Sequence, residues 1–432
     1  MSFDHALALY RRRAFAEASA QLAQIIPAAL HDLRAWKYLA LSLIAQGHAT
    51  RALSLVETRQ QQAGDGLILL FAVAEELASA RDALAIETLV ANAPPNSALG
   101  VVPLYFAGCL AAAGDPEKAL GLLHRAALGA QQAGALFEQN AQLASIVSQG
   151  FVLGDFAALD RLAARSIDDV FRDAPSLQRT IDVTMPAAPA GADFIYLCSC
   201  NDLYLERFGA AILGAVEGRG IPTVLHLHVV DPTAATLGRV DALRARAECV
   251  AIGYSSEHFR HEQAGGYRSA AYYASARFAR AHAIAERYAR DVLILDIDTQ
   301  RLADLGPLLG AMRVHELGYF SCGDIEPWLM CRGAVVYIRR SASGALFAEL
   351  LCKYIVGKIE QSGFWGLDQA ALYVVSRYMQ ARHSPFRIAE FSELVGIDLA
   401  DFAQGTGGTG EKQSLRRASA SDAPQPIPSV EP

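Results

Sequence analysis

The chain has 432 residues, 52% of them hydrophobic, and a net charge of −7 from 38 Lys and Arg against 45 Asp and Glu. That length calls for two domains rather than one core, and that charge excludes a nonspecific nucleic-acid binder, which needs a dense basic face. Arg11–Arg13, the compact basic run, is expected on an exposed helix face. No apolar stretch approaches the roughly 18–20 residues that cross a bilayer, and Met1-Ser2-Phe3-Asp4-His5 shows no basic region leading into an apolar core. The expectation is a cytoplasmic protein without a transmembrane segment. The seven cysteines, at 109, 198, 200, 249, 322, 331 and 352, form no C-x-x-C pair and are expected as buried thiols.

Residues 1–175 read as helix after helix, rich in Ala and Leu. They also repeat. Gly47-x4-Ala52 matches Gly114-x4-Ala119 at an offset of 67, close to twice 34, and Ala18 lies 34 residues before Ala52. A weaker copy begins at Gly154-Asp155-Phe156, while the copy due near Arg81 lacks both small residues. A small residue at the turn and an alanine five places later let paired helices approach closely, as stacked helix hairpins require. Together with Trp36-x2-Leu39-Ala40, these residues resemble tetratricopeptide repeats. The expected fold of this half is an α-solenoid, whose concave surface would suit a protein partner.

Residues 176–192, with their prolines and small residues, are expected to form a linker. Strand and helix then alternate: strands at Phe194–Cys198, Thr223–Val230, Cys249–Tyr254 and Val292–Leu295, and helices at Tyr204–Glu217, Ala235–Ala247 and Tyr272–Tyr288. Such alternation predicts a mostly parallel sheet with helices on both faces over 193–403. The Gly-, Ser- and Pro-rich tail, 404–432, is expected to be disordered.

The acidic strand V-L-I-L-D-I-D carries Asp296 and Asp298 one residue apart. In extended backbone both point to one side, beyond the carboxyl end of a strand, where open α/β sheets keep their ligand crevices. Two hard oxygen donors there suit Mg²⁺ or Mn²⁺ holding a phosphorylated substrate. The bland alternative is a pair of acids that finish a strand in water.

Three further segments accompany the aspartates: Ser199-Cys200-Asn201-Asp202-Leu203-Tyr204, which ends the first strand and runs into a helix, Ser275-Ala276-Arg277-Phe278 on the preceding helix, and Trp365-Gly366-Leu367-Asp368-Gln369-Ala370 at a later helix start. In this order the motifs resemble nucleotide-sugar transferases of the GT-A fold, closest to the glycogenin and lipopolysaccharide galactosyl- or glucosyltransferase kind. The resemblance covers about Phe194 to Tyr378 and implies a Rossmann-like α/β domain. It implies that Asn201, Asp202 and Tyr204 hold the base and ribose, that Arg277 meets the nucleotide, that Asp296 and Asp298 bind Mn²⁺ or Mg²⁺, and that Asp368 and Gln369 contact the donor sugar as catalytic residues. The implied activity is metal-dependent transfer, retaining in the nearest relatives, from a UDP-sugar or similar donor to a glycan, lipid-linked or protein acceptor.

Each residue also has a plainer role open to it. Asn201, Asp202 and Asp368 could cap helices, Arg277 could sit in a surface ion pair, and Tyr204 could be a core aromatic. His383 does not match the family's third metal ligand, and Cys331-Arg332-Gly333-Ala334 stands where an asparagine is expected. Two rival readings follow: a haloacid-dehalogenase-type phosphohydrolase, whose motif Thr299-Gln300-Arg301 does not complete, and a non-catalytic helical-repeat scaffold with a silent transferase-like domain.

Overall fold

A computed structural model describes residues 2–28, 30, 32–94, 97–138, 143, 156–173, 182–259, 266–321, 330–359, 366–396 and 399–405. The chain forms two compact units, one of Met1–Phe156 and one beginning at Ala157.

The first unit is helical: α1 Phe3–Arg11, α2 Phe15–Ile25, α3 Leu33–Ala45, α4 Ala49–Ala63, α5 Gly66–Ser79, α6 Ala83–Asn92, α7 Ala98–Ala111, α8 Pro116–Ala133 and the single turn α9 Ala135–Glu138. From α1 to α8 each helix packs on the next, and α3, α5 and α7 also pack on one another in series. The turns explain the spacing. Arg13, Gly47 and Arg81 lie 34 residues apart and adopt φ of 62°, 81° and 55°. At each, its own N–H reaches three residues back and the next N–H five back: Gly47 N to Ile44 O and His48 N to Leu43 O, both at 2.8 Å, then Arg81 N to Ala78 O and Asp82 N to Leu77 O, both at 2.9 Å. This is the Schellman closure of a helix end. The copy that lacked its glycine therefore has the same turn, made by Arg81. Ala18, Ala52, Ile86 and Ala119 occupy the matching position and are buried in every copy. The expected copy at Gly154-Asp155 lies outside the described residues.

The second unit holds a mixed eight-stranded sheet ordered β1-β4-β3-β2-β5-β8-β7-β9. In chain order it runs α10 Phe156–Ala163, α11 Ile167–Asp173, β1 Asp182–Thr184, β2 Phe194–Asn201, α12 Asp202–Glu217, β3 Thr223–Val230, α13 Thr236–Arg246, β4 Val250–Glu257, α14 Gly266–Tyr288 and β5 Asp291–Leu295. There follow β6 Thr299–Leu302, α15 Gly306–Met312, β7 Leu317–Ser321, β8 Cys331–Ile338, α16 Ala342–Ile359, α17 Leu367–Arg382, β9 Ile388–Glu390, α18 Phe391–Val395, α19 Leu399–Phe402 and β10 Ala403–Gly405. β4, β3, β2 and β5 are mutually parallel, as are β7 and β9, whereas β1 is antiparallel to β4 and β8 to both β5 and β7.

Three differences from the sequence reading stand out. The sheet is mixed because β8 runs antiparallel to both of its neighbours, β5 and β7, and β1 runs antiparallel to β4. Asp182–Thr184, within the segment read as a linker, pairs with β4 as an edge strand. Ala403–Gly405, at the start of the expected tail, pairs with β6, and 406–432 lie outside the described residues. The helices α10 and α11 pack within this unit, where Tyr378 donates to Asp160 Oδ1 at 2.7 Å and Lys353 Nζ to Arg165 O at 2.6 Å.

Alternation along the strands sorts the two faces. Phe194, Tyr196, Cys198 and Cys200 of β2 join Leu225, Leu227 and Val229 of β3 in a core that includes Leu205, Phe208 and Ile212 of α12. Ile195, Leu197 and Ser199 point the opposite way, toward the face on which α14 packs. Among the described cysteines all but Cys249 are buried. No helix among the described residues is long and apolar enough to cross a membrane.

Candidate functional site

The strand order reverses between β2 and β5: β3 and β4 step away on one side of β2, and β5 returns to its other side. Chain segments leaving the carboxyl ends of two such strands diverge and leave a crevice between them. A cavity of about 320 Å³ lies there, lined by residues from β2, α12, α14, the turn after β5, β8 and α17. Seven of the eight residues singled out from sequence line it: Asn201, Tyr204, Arg277, Asp296, Asp298, Asp368 and Gln369. Asp202 is not among the lining residues.

Asn201 caps α12, its Oδ1 accepting from Tyr204 N at 2.9 Å. Asp202 next to it is buried against α13, where it accepts from Thr236 Oγ1 at 2.7 Å, Thr233 Oγ1 at 2.5 Å and Arg239 Nη1 at 2.5 Å. Burial pushes its carboxyl up, but the two threonine hydroxyls and Arg239 outweigh that and hold it below the usual carboxylate range. Asp202 thus ties two helices together. Tyr204 packs against the core, its ring 5.4 Å from that of Phe208, while bordering the cavity.

Arg277 is the hub. It is 5% exposed, so a surface ion pair does not describe it. Its Nη2 lies 2.8 Å from Asp296 Oδ1, 3.2 Å from Asp368 Oδ2 and 3.1 Å from the Gly333 carbonyl oxygen, to which it donates. A side chain at Gly333 would place Cβ 3.2 Å from Asp368 Oδ2, so that Asp368 would have to give by a few tenths of an ångström, and in ordinary contact, 3.6 Å, with Arg277 Nη2. Asp368 Oδ1 accepts from Gln369 N at 3.0 Å in the first turn of α17. Burial pushes the Asp368 carboxyl up; Arg277 opposes this and the charge of Asp296 adds to it, leaving the group above its ordinary range.

The acidic pair differs in detail from the expected extended strand. β5 ends at Leu295, Asp296 N donates to Ala334 O at 3.1 Å, and Thr299 N closes a turn onto Asp296 O at 3.1 Å. Both carboxylates still border the cavity, because a tight turn rather than the pleat brings them round. Asp298 is buried, whereas the Asp296 side chain is about a third exposed. Two carboxylates beside a substrate's phosphates are a donor set that Mg²⁺ or Mn²⁺ accepts. No group of three or more His, Cys, Asp or Glu side chains arranged for a metal ion occurs among the described residues. His383 ends α17, with its ring 5.7 Å from that of Tyr378, and is not among the lining residues.

Sequence reasoning gave no role to Ser199 or Gly333, although both lie in segments it singled out, and missed Tyr273; all three line the cavity. A serine inside an apolar strand was the available signal for Ser199. It missed a second buried cluster altogether. His226 and His228 on β3 share Ser255 of β4 at 2.8 Å each, His226 meets the Tyr288 hydroxyl at 3.0 Å, and His228 meets Glu257 at 2.9 Å. Tyr272 and Arg280 of α14 donate to Glu257 from the other side. A Cβ at Gly253 would fall 2.1 Å from the Tyr288 hydroxyl and 2.7 Å from His226 Nδ1, so glycine makes this cluster possible.

Comparison with protein-family models and with curated proteins returned no match.

Proposed function

We propose that the cavity between β2 and β5 binds a nucleotide-diphosphate sugar, with a UDP-sugar as the expected donor, and that the protein is a glycosyltransferase of GT-A type. One observation carries the reading: seven residues scattered from 201 to 369, nominated by a family's motif order, border a single cavity at a topological switch point. Unrelated helix caps and surface acids have no reason to converge in this way.

In this reading Asn201 and Tyr204 flank the base and ribose at the α12 side. Arg277 offers a planar fork to phosphate oxygens, and its buried Nε has no hydrogen-bond partner among the described residues. Asp296 and Asp298 would hold Mn²⁺ or Mg²⁺, which would offset the charge on the departing nucleotide. Asp368 and Gln369 stand across the cavity as the donor-sugar contacts and the catalytic pair. Release of UDP from a UDP-sugar, with and without Mn²⁺, tests the activity: Asp298→Asn should abolish turnover without unfolding the chain, and undiminished turnover would sink the metal assignment.

A second reading, a scaffold with a silent transferase-like domain, draws on the 2.8 Å ion pair between Arg277 and Asp296, which engages a carboxylate the metal would need. It expects no nucleotide binding, or binding indifferent to metal. For the helical unit we propose an α-solenoid of tetratricopeptide type whose surface receives a protein partner; the 34-residue recurrence of Arg13, Gly47 and Arg81 supports it.

A further inference from the structure

We infer that Ser199 is a positioning residue for this cavity: its hydroxyl sets where Arg277 stands and, through Arg277, how tightly a phosphate-bearing ligand is held. The inference rests on the nucleotide-sugar reading for the identity of that ligand.

Ser199 belongs to β2, is buried, and faces α14 from within the cavity wall. Its Oγ donates to the Tyr273 carbonyl oxygen at 2.8 Å and accepts from the Arg277 backbone N–H at 3.0 Å. Tyr273 and Arg277 are four residues apart on one helix, so these partners are the acceptor and donor of a single α-helical step. The strand hydroxyl thus engages both ends of one step of the α14 ladder, and a side chain that bonds there bears on the backbone around it. A hydroxyl has one hydrogen to give and lone pairs to accept with, so both its roles are spent on this link.

Arg277 is therefore tied through one oxygen atom to the strand that carries Asn201, as well as being held by its own helix. The tie matters because the guanidinium serves three groups at once, Asp296, Asp368 and the Gly333 carbonyl, within 2.8–3.2 Å. Small displacements of Arg277 change all of these distances together.

A merely structural serine and a positioning serine respond differently to Ser199→Ala. Without the hydroxyl, Arg277 N and Tyr273 O can pair directly as an ordinary helical bond, so no buried group is left unsatisfied and folding stability should change little. Arg277 would lose its tether to β2 and shift, and misplacement of a binding group by about 1 Å costs on the order of 10–100-fold.

The experiment is calorimetric titration of the full chain with UDP and Mn²⁺, alongside the melting temperature of each variant. Ser199→Ala should bind roughly ten-fold more weakly, Ser199→Thr, which keeps the hydroxyl, should bind close to the unmutated chain, and the melting temperatures should stay together. In an Arg277→Lys background, Ser199→Ala should add less than about two-fold, because residues acting through one another are not additive. The role is overturned if the unmutated chain binds UDP and Ser199→Ala binds within about two-fold of it, or if the loss is undiminished beside Arg277→Lys. Failure of the unmutated chain to bind UDP, GDP or ADP overturns the nucleotide reading itself and this role with it.

Discussion

Arg277 and Arg280 stand one turn apart on α14, both buried and both paired with carboxylates, yet they belong to different kinds of site. Arg280 meets Glu257, which also accepts from Tyr272 at 2.7 Å and pairs with His228, in a buried cluster on β3, β4 and α14. Arg277 is shared between Asp296 and Asp368 at the wall of a cavity. The two carboxylates respond in opposite directions. Burial pushes both up, but Arg280 and His228 together bring Glu257 down to about 2, while Asp368, with half an arginine and a second aspartate nearby, stays above its ordinary range. A buried ion pair alone is thus no mark of function; an under-compensated carboxyl facing a cavity is the better one.

The comparison can be broken most forcefully at Glu257. Glu257→Ala removes the buried carboxylate to which both Arg280 and Tyr272 donate and should cost about 3–5 kcal/mol of stability in urea unfolding. A loss below about 1 kcal/mol would show that water reaches the cluster and that it is not closed.

Acid should act on the closed cluster next. Burial, with smaller contributions from His228 and Arg287, holds His226 down at about 3, from its usual 6.5. Its neutral form is therefore favoured in the fold, the unfolded chain binds the extra proton, and stability present above about pH 6.5 falls as pH drops toward 3. Glu257, held at about 2 against 4.5, adds a loss of the same sign below about pH 4.5. Urea midpoints measured from pH 7.5 to 4 should decline, with a shallower slope in His226→Gln.

Asp368→Asn should do the reverse of Glu257→Ala. It removes a charge-assisted partner of Arg277 at the cavity, weakening nucleotide binding by about 10–100-fold, while the melting temperature moves little because the charged form was already disfavoured by burial. The smallest effect belongs to the helical unit. Arg81→Gly should gain about 0.5 kcal/mol, relief of a left-handed turn offsetting glycine's extra chain entropy, and Gly47→Ala should lose about 1 kcal/mol.

Local signals were legible in the sequence. The strand at Val292–Leu295 ends where its apolar run predicts, since a strand buried on both faces shows its bounds in composition alone. The cavity was legible as an ordered set of motifs on strand ends and helices, because open α/β sheets keep their crevices at the carboxyl ends of strands where the strand order reverses. Features that depend on register were not. The His226–Ser255–His228–Glu257 chain exists because β3 and β4 pair His228 with Ser255, a fact no spacing in the sequence carries. Arg81 hid a turn that glycine marks at Gly47, because the closing hydrogen bonds, rather than residue type, hold its left-handed backbone. Asp202 reads like its neighbour Asn201, and only the packing of α13 turns it away from the cavity.

The central claim is that the crevice between β2 and β5 is a metal-assisted nucleotide site. Thermal unfolding of the full chain against UDP, GDP and ADP, each with and without Mn²⁺, tests it most directly, since a ligand that binds only the folded state raises the melting temperature. The expected result is a shift with UDP that requires Mn²⁺ and vanishes in Asp298→Asn. No shift with any of the three nucleotides, or a shift indifferent both to Mn²⁺ and to Asp298→Asn, would contradict it.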